Sequence, residues 1–170
     1  MVTRDQYREA MARLGAAVNV ITTAGPGGQR GFTASAVCSV TDNPPTLLVC
    51  VNRRHESHAA LLANRVMCIN TLGAAQSDVS DVFAGAQGHE GLARFCTGEW
   101  DALVTGAPSL SGAVVSFDCH IVQVVDVGTH SVLFGEVAAL RHGDDHGGLI
   151  YFGRAYHPVR QVKVAQATFP

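Results

Sequence analysis

The stretch from Gly31 to Arg53, GFTASAVCSVTDNPPTLLVCVNR, limits what this chain can fold into more than any other, because two β-type runs flank the breaker Asp42-Asn43-Pro44-Pro45. Adjacent prolines lack N–H groups and hold the residue before them out of the α region, so the two runs are expected as the arms of a hairpin. The second run, Thr46–Val51, is almost wholly apolar and rich in Leu and Val, the pattern of a strand buried on both faces. The first interleaves Phe32, Val37 and Val40 with Thr33, Ala34, Ser35, Ala36, Cys38 and Ser39. Small side chains let a flat ligand approach the backbone, and hydroxyl and N–H groups can bond a heteroaromatic ring or a phosphate without an ionisable group. The same composition also suits the solvent face of an ordinary antiparallel strand. The residues after the second run favour a ligand: Asn52, Arg53, Arg54 and Ser57 form a candidate anion clamp.

Upstream, Tyr7, Ala10, Met11 and Leu14 recur at helical spacing between Thr3, a good cap, and Gly15, a stop, which predicts an amphipathic helix. Ala17–Ala24 then reads as a strand and Gly25-Pro26-Gly27-Gly28 as a turn. A dinucleotide fingerprint fails there, because Arg30 replaces its third glycine and a strand follows instead of a helix. Downstream the pattern predicts a helix over 56–63, a strand over Val66–Leu72, a helical turn over Asp78–Ala84, a loop from Gly85 and a further helical segment over 90–97. A second hairpin comes next, Ala113–Val125 and Ser131–Leu140 joined through Val127-Gly128-Thr129-His130, and Gly148–Phe152 is expected as the last short strand. Antiparallel runs with interspersed helices predict a barrel or an α+β arrangement and argue against a parallel sheet.

At 170 residues and 47% hydrophobic the chain suits one domain spanning 1–170. A net charge of −2 leaves no basic footprint for nucleic acid or a membrane surface. The N-terminus lacks an apolar signal core, and no run approaches the length of a membrane span, so a cytoplasmic protein is expected. Cys38, Cys50, Cys68, Cys96 and Cys119 are odd in number and include no C-x-x-C pair, which predicts buried thiols and no disulfide framework. His55-x-x-His58 and His142-x-x-x-His146 are the metal-like spacings; both read better as solvated loop histidines, since the first lacks a third nearby ligand and does not match H-E-x-x-H, and the second lies in the Gly- and Asp-rich segment RHGDDHGG, which reads as a turn. No G-x-S-x-G elbow supports a hydrolase.

The first stretch, together with Cys68-Ile69-Asn70-Thr71-Leu72, Phe83-Ala84-Gly85, Gly128-Thr129-His130, Phe134-Gly135-Glu136-Val137 and Tyr151-Phe152-Gly153-Arg154-Ala155-Tyr156-His157, resembles the short-chain flavin reductases over almost the whole chain. In its first motif the chain resembles the pyrimidine-utilisation branch first and the 4-hydroxyphenylacetate monooxygenase reductases next; corrin reductases of cobalamin synthesis belong to the same family. The resemblance implies a mainly β protein, a split Greek-key β-barrel with flanking helices that binds FMN or FAD and works as a homodimer. It also implies hydride transfer from C4 of NADH to N5 of the flavin, with reduced flavin passing to a flavin-dependent monooxygenase. A corrin reductase and a non-catalytic flavin-binding or redox-sensing domain are the alternatives.

Flavin contacts are then expected from Thr33, Ala34, Ser35, Ser39, Cys50, Asn52, Arg53 and Ser57, with the phosphate beside Arg53 and Ser57 where a helix begins. By resemblance the nicotinamide side comprises His130, Arg154, Tyr156 and His157, two chain ends meeting over one ring face. Thr129 stands where many relatives carry Asp. No acid or base catalyst is expected, since the cofactors carry the chemistry and the protein orients them.

Overall fold

A computed structural model of the chain describes residues 1–144 and 147–160. In chain order its elements are α1 (Arg4–Met11), β1 (Ala16–Ala17), β2 (Asn19–Thr23), β3 (Arg30–Ala34), β4 (Val37–Asp42), β5 (Pro45–Asn52), α2 (Glu56–Asn64), β6 (Val66–Thr71) and α3 (Ser77–Phe83). A 3₁₀ turn (Gly91–Cys96) precedes β7 (Trp100–Ala102), β8 (Pro108–Leu110), β9 (Val115–Val127), β10 (His130–His142), β11 (Gly147–Phe152) and β12 (Ala155–Arg160).

The main sheet has seven antiparallel strands in the order β3-β2-β6-β9-β10-β5-β4. Its two outermost strands are consecutive in the chain, with only Ser35 and Ala36 between them. So short a connection spans at most about 10 Å, so the sheet must curl until its ends approach. The Cys50 N–H donating to Ala36 O at 3.1 Å carries the bonding up to that corner. No pairing closes β3 on β4, and the result is a mainly β, split-barrel-like architecture. Two small sheets, β1-β11-β12 and β7-β8, complete it.

Inside the curl Ile21, Phe32, Val49, Val51, Met67, Ile69, Ile121 and Leu133 form one buried cluster. A second, around Val20, Leu72, Val82, Phe83 and Leu149, seats α3 and β11 against the sheet. Gly31 permits that seating: a Cβ there would lie 2.6 Å from Cε1 of Phe83, closer than packed atoms approach.

Several expectations change. Only Val49 and Val51 of β5 are buried; Leu47, Leu48 and Cys50 are half-buried, because one face of a curled antiparallel sheet meets the core. The small-residue run is two strands at opposite ends of the sheet, so Thr33 and Ser39 belong to different elements. The strand expected over 17–24 divides at Val18 into β1 and β2, which join different sheets. Gly148–Phe152 is not the last strand: Gly153 and Arg154, at φ 59 and 64, make a two-residue turn into β12. Pro158 hides that strand from sequence patterning and is tolerated because β12 is a sheet edge. Thr3 caps α1 as expected, with Gln6 completing a capping box, yet no residue of α1 is buried.

Candidate functional site

The site grows from the end of β5. Asn52 pairs with His130, the first residue of β10, and the Arg53 N–H donates to Thr129 O at 3.0 Å, so Asn52–Arg54 lies along the Gly128–His130 turn. The Asn52 side chain accepts the Arg54 N–H at 2.9 Å and tightens the bend, after which His55 caps α2 by accepting the Ser57 N–H on Nδ1 at 3.1 Å. Burial pushes the His55 imidazole down from its ordinary value; Glu56 opposes that shift and Arg94 adds to it. The neutral ring is the form that can cap.

A cleft of about 960 Å³ opens beside this corner. Arg53, Arg54 and His58 form one wall, Thr129 and His130 another, and α1 supplies Arg4, Tyr7 and Arg8. Among the described residues four guanidinium groups line it and no carboxylate does. Asp126 at the end of β9 stands at its edge, with Oδ2 3.8 Å from Arg53 Nε and both side chains about half exposed. Its Oδ1 accepts the Ser131 hydroxyl at 2.6 Å, and Ser131 Oγ lies 2.8 Å from His58 Nε2. Four guanidinium groups around open space, with one carboxylate at the edge, fit an anionic ligand.

Of the residues expected to touch flavin, Asn52 and Arg53 line this cleft, and Cys50 lies half-buried just before them on β5. Burial raises the Cys50 thiol above its ordinary value, so it stays protonated and is not an activated nucleophile. Ser35 and Ser39 are exposed, and half-buried Ala34 packs on the core. Thr33 turns away, its hydroxyl donating to Ser80 O at 2.6 Å. Ser57 is fully buried, its hydroxyl directed to Gly31 O at 3.4 Å and its N–H taken by His55, so its groups are engaged inside the protein.

Of the nicotinamide set, only His130 lines the cleft, with Nδ1 2.9 Å from the Thr129 hydroxyl. Arg154 reaches Glu9 of α1 at 2.8 Å, Tyr156 accepts the Ser80 hydroxyl at 2.8 Å, and His157 donates from Nε2 to Phe152 O at 3.0 Å. Burial pushes the Tyr156 phenol up, partly offset by its bond to Ser80. No hydrogen bond or ring contact among the described residues joins His130 to the β11–β12 hairpin. Between them lies α1, which adds Arg4 and Arg8 to the cleft and is tied to the hairpin by Glu9 and by Ala12 O accepting the Gly153 N–H at 2.7 Å.

Sequence reasoning missed Arg4, Arg8, His58, Ser131 and Asp126. Arg4 and Arg8 did leave a signal: like charges at i,i+4 destabilise a helix unless something anionic lies between them. His58, read as a solvated loop residue, instead sits half-buried on α2, while His146 lies outside the described residues. Cys68 and Cys119 are buried as expected, each thiol pushed up to about 12, mainly by desolvation; Cys38 and Cys96 are exposed.

Residues 11–160 match the flavin reductase like domain, and the chain belongs to that family. It is 58% identical over 158 residues to the NADH-dependent FMN reductase RutF of Ancylobacter novellus, covering 93% of this chain and 86% of that protein. The RutF of Yersinia enterocolitica is 56% identical with the same coverage. Among solved structures, a flavin reductase from Haemophilus somnus superposes with a TM-score of 0.89 at 44% identity, covering 93% of this chain and all of that one. BorF, the flavin reductase component of a bacterial two-component tryptophan halogenase, gives 0.86 at 25%, covering 94% and 100%.

Proposed function

We propose that this protein is an NADH-dependent FMN reductase that supplies reduced flavin to a separate oxygenase or halogenase. The observation that carries the reading is the cationic cleft at the end of β5, in a chain belonging to the flavin reductases. The residues fit the cofactor: Arg53 and Arg54 offer charge-assisted donors for a phosphate, and exposed Ser35 and Ser39 with half-buried Cys50 leave a small-residue surface for a flat ring. When bound, the flavin supplies the electron-accepting chemistry. The chain's own residues bind and orient. Arg53 and Asn52 fix the phosphate end, His130 stands at the same opening, and Tyr156, held by Ser80, offers a stacking face on the hairpin for the nicotinamide. Thr33 and Ser57 then act by holding β3 and α2 in place.

Relatives named as FMN reductases and as reductase components of two-component systems favour this reading over a corrin reductase or a passive flavin carrier. Flavin-dependent NADH oxidation tests it, with FMN, FAD and riboflavin as acceptors; no turnover with any of them, from NADH or NADPH, would refute it. A homodimer is also proposed, supported by Tyr7, Met11 and Leu14 lying exposed on and just after α1, and sedimentation would test it. Among the described residues no helix is long and apolar enough to cross a membrane; we place the protein in the cytoplasm, which fractionation would check.

A further inference from the structure

We infer that His58 selects a phosphate monoester in the cationic cleft, acting beside Arg53 as a donor that takes up a proton when FMN binds, and that Ser131 and Asp126 hold its ring for that task. The inference rests on the proposed placement of the flavin phosphate at Arg53.

The bonds fix their own direction. A carboxylate accepts only, so the single hydroxyl proton of Ser131 goes to Asp126 Oδ1 at 2.6 Å. Ser131 Oγ can then only accept from His58 Nε2 at 2.8 Å, which places a proton on Nε2. Ser131 is fully buried between its strand partners Asp126 and Val51, so the arrangement is anchored in the sheet. Among the described residues no hydrogen bond engages the other ring nitrogen, Nδ1, and His58 lines the cleft. Asp126 therefore steadies both cleft groups, His58 through Ser131 and Arg53 directly.

The charged and titratable groups around the ring come from every neighbouring element. They are Arg4, Tyr7 and Arg8 of α1, Arg53 and Arg54 after β5, His55 and Glu56 at the start of α2, Asp126 of β9 and His130 of β10. Glu56 is engaged by Arg94 at 2.8 Å, and His55 Nδ1 by the α2 cap. A phosphate dianion beside the ring favours a positive charge on it. Nδ1 then takes a proton from solvent and donates it in a hydrogen bond to a phosphate oxygen, while Nε2 keeps its bond to Ser131. Only a monoester, with a second ionisation near pH ~6, presents a dianion here. The phosphates of FAD carry one charge each and riboflavin carries none, so the device favours FMN over both.

Calorimetric titration of the full chain at pH 7.5, in buffers of different ionisation enthalpy, counts the protons. The expected result is about one proton taken up per FMN and none for riboflavin or FAD. His58→Gln keeps an amide donor for Ser131, and should abolish the uptake and weaken FMN about tenfold, with riboflavin changed less than about twofold. Asp126→Asn lets the new amide donate to Ser131, turns the serine proton toward Nε2 and should reduce the uptake with His58 still present. His130→Gln should leave the uptake intact. No uptake in the wild type, uptake surviving His58→Gln, or uptake with 2′,5′-ADP but not with FMN would overturn the inference. Arg53→Ala separates the two claims. If it removes the advantage of FMN over riboflavin while His58→Gln does not, only the role of His58 falls; if it leaves that advantage intact, the phosphate placement falls with it.

Discussion

Asp118 and Asp126 lie on the same strand, β9, and meet opposite fates. Asp118 is fully buried and forms no ion pair among the described residues; it accepts the backbone N–H groups of Val104 at 2.8 Å and Thr105 at 2.7 Å, and the Thr105 hydroxyl at 2.5 Å. Asp126, about half exposed, accepts the buried Ser131 hydroxyl and sits 3.8 Å from Arg53 at the edge of the cleft. The loop before β8 closes around the first carboxylate and supplies its donors. Around the second, the surrounding charges exceed what the fold neutralises. A polar group whose partners all come from the chain holds the chain together, whereas charges left facing open space describe a ligand.

The largest expected effect is on the buried carboxylate. Asp118→Ala would leave three donors without their acceptor and should cost about 3 kcal/mol or more of stability, a melting temperature lower by roughly 6–12 °C, with the preference for FMN over riboflavin intact. A loss under about 1 kcal/mol in denaturant unfolding would break the contrast.

Next is the cleft itself: Arg53→Ala should weaken FMN about ten- to a hundredfold and riboflavin far less, with stability changed by less than about 0.5 kcal/mol, since the pair with Asp126 is long and solvent-screened. Equal losses for both flavins, measured by fluorescence titration, would remove Arg53 from the phosphate. Smaller again, His130→Ala and His157→Ala should keep FMN affinity and raise the KM for NADH or slow reduction by roughly fivefold. Stopped-flow rates and NADH dependence matching the wild type in both variants would take the two histidines out of the site.

The smallest effect is in stability against pH. The folded imidazole of His55 is held below its unfolded value, so the unfolded chain binds more protons and stability falls as pH drops through about 6.5 toward the lower folded value. The change is limited to roughly the 1 kcal/mol of a helix cap. His55→Asn, a cap that does not titrate, should flatten this part of the profile; an unchanged pH slope in urea unfolding would show that the slope arises elsewhere.

Much of the frame was written locally. Two prolines after Asp42-Asn43 require a turn, Thr3 with Gln6 caps a helix, and Gly128-Thr129 between β-branched runs makes a hairpin; each depends on backbone preferences within a few residues. Asn52 and Arg53 were expected at the site because they follow a β-type run directly, whereas His130 was expected there from the family resemblance. Which side chains face one another was not local information. Ser57 and His58 are neighbours on one helix, yet Ser57 turns inward to Gly31 and His58 reaches Ser131, because α2 packs against strands whose neighbours are set by the sheet order. Burial on one face of β5, the edge strand carrying Pro158, and the meeting of Arg4 and Arg8 with Arg53 and Arg54 depend likewise on where distant segments come to rest. Sequence periodicity fixes the face a residue occupies, and only the curl of the sheet, required by the two residues between β3 and β4, decides what lies opposite that face.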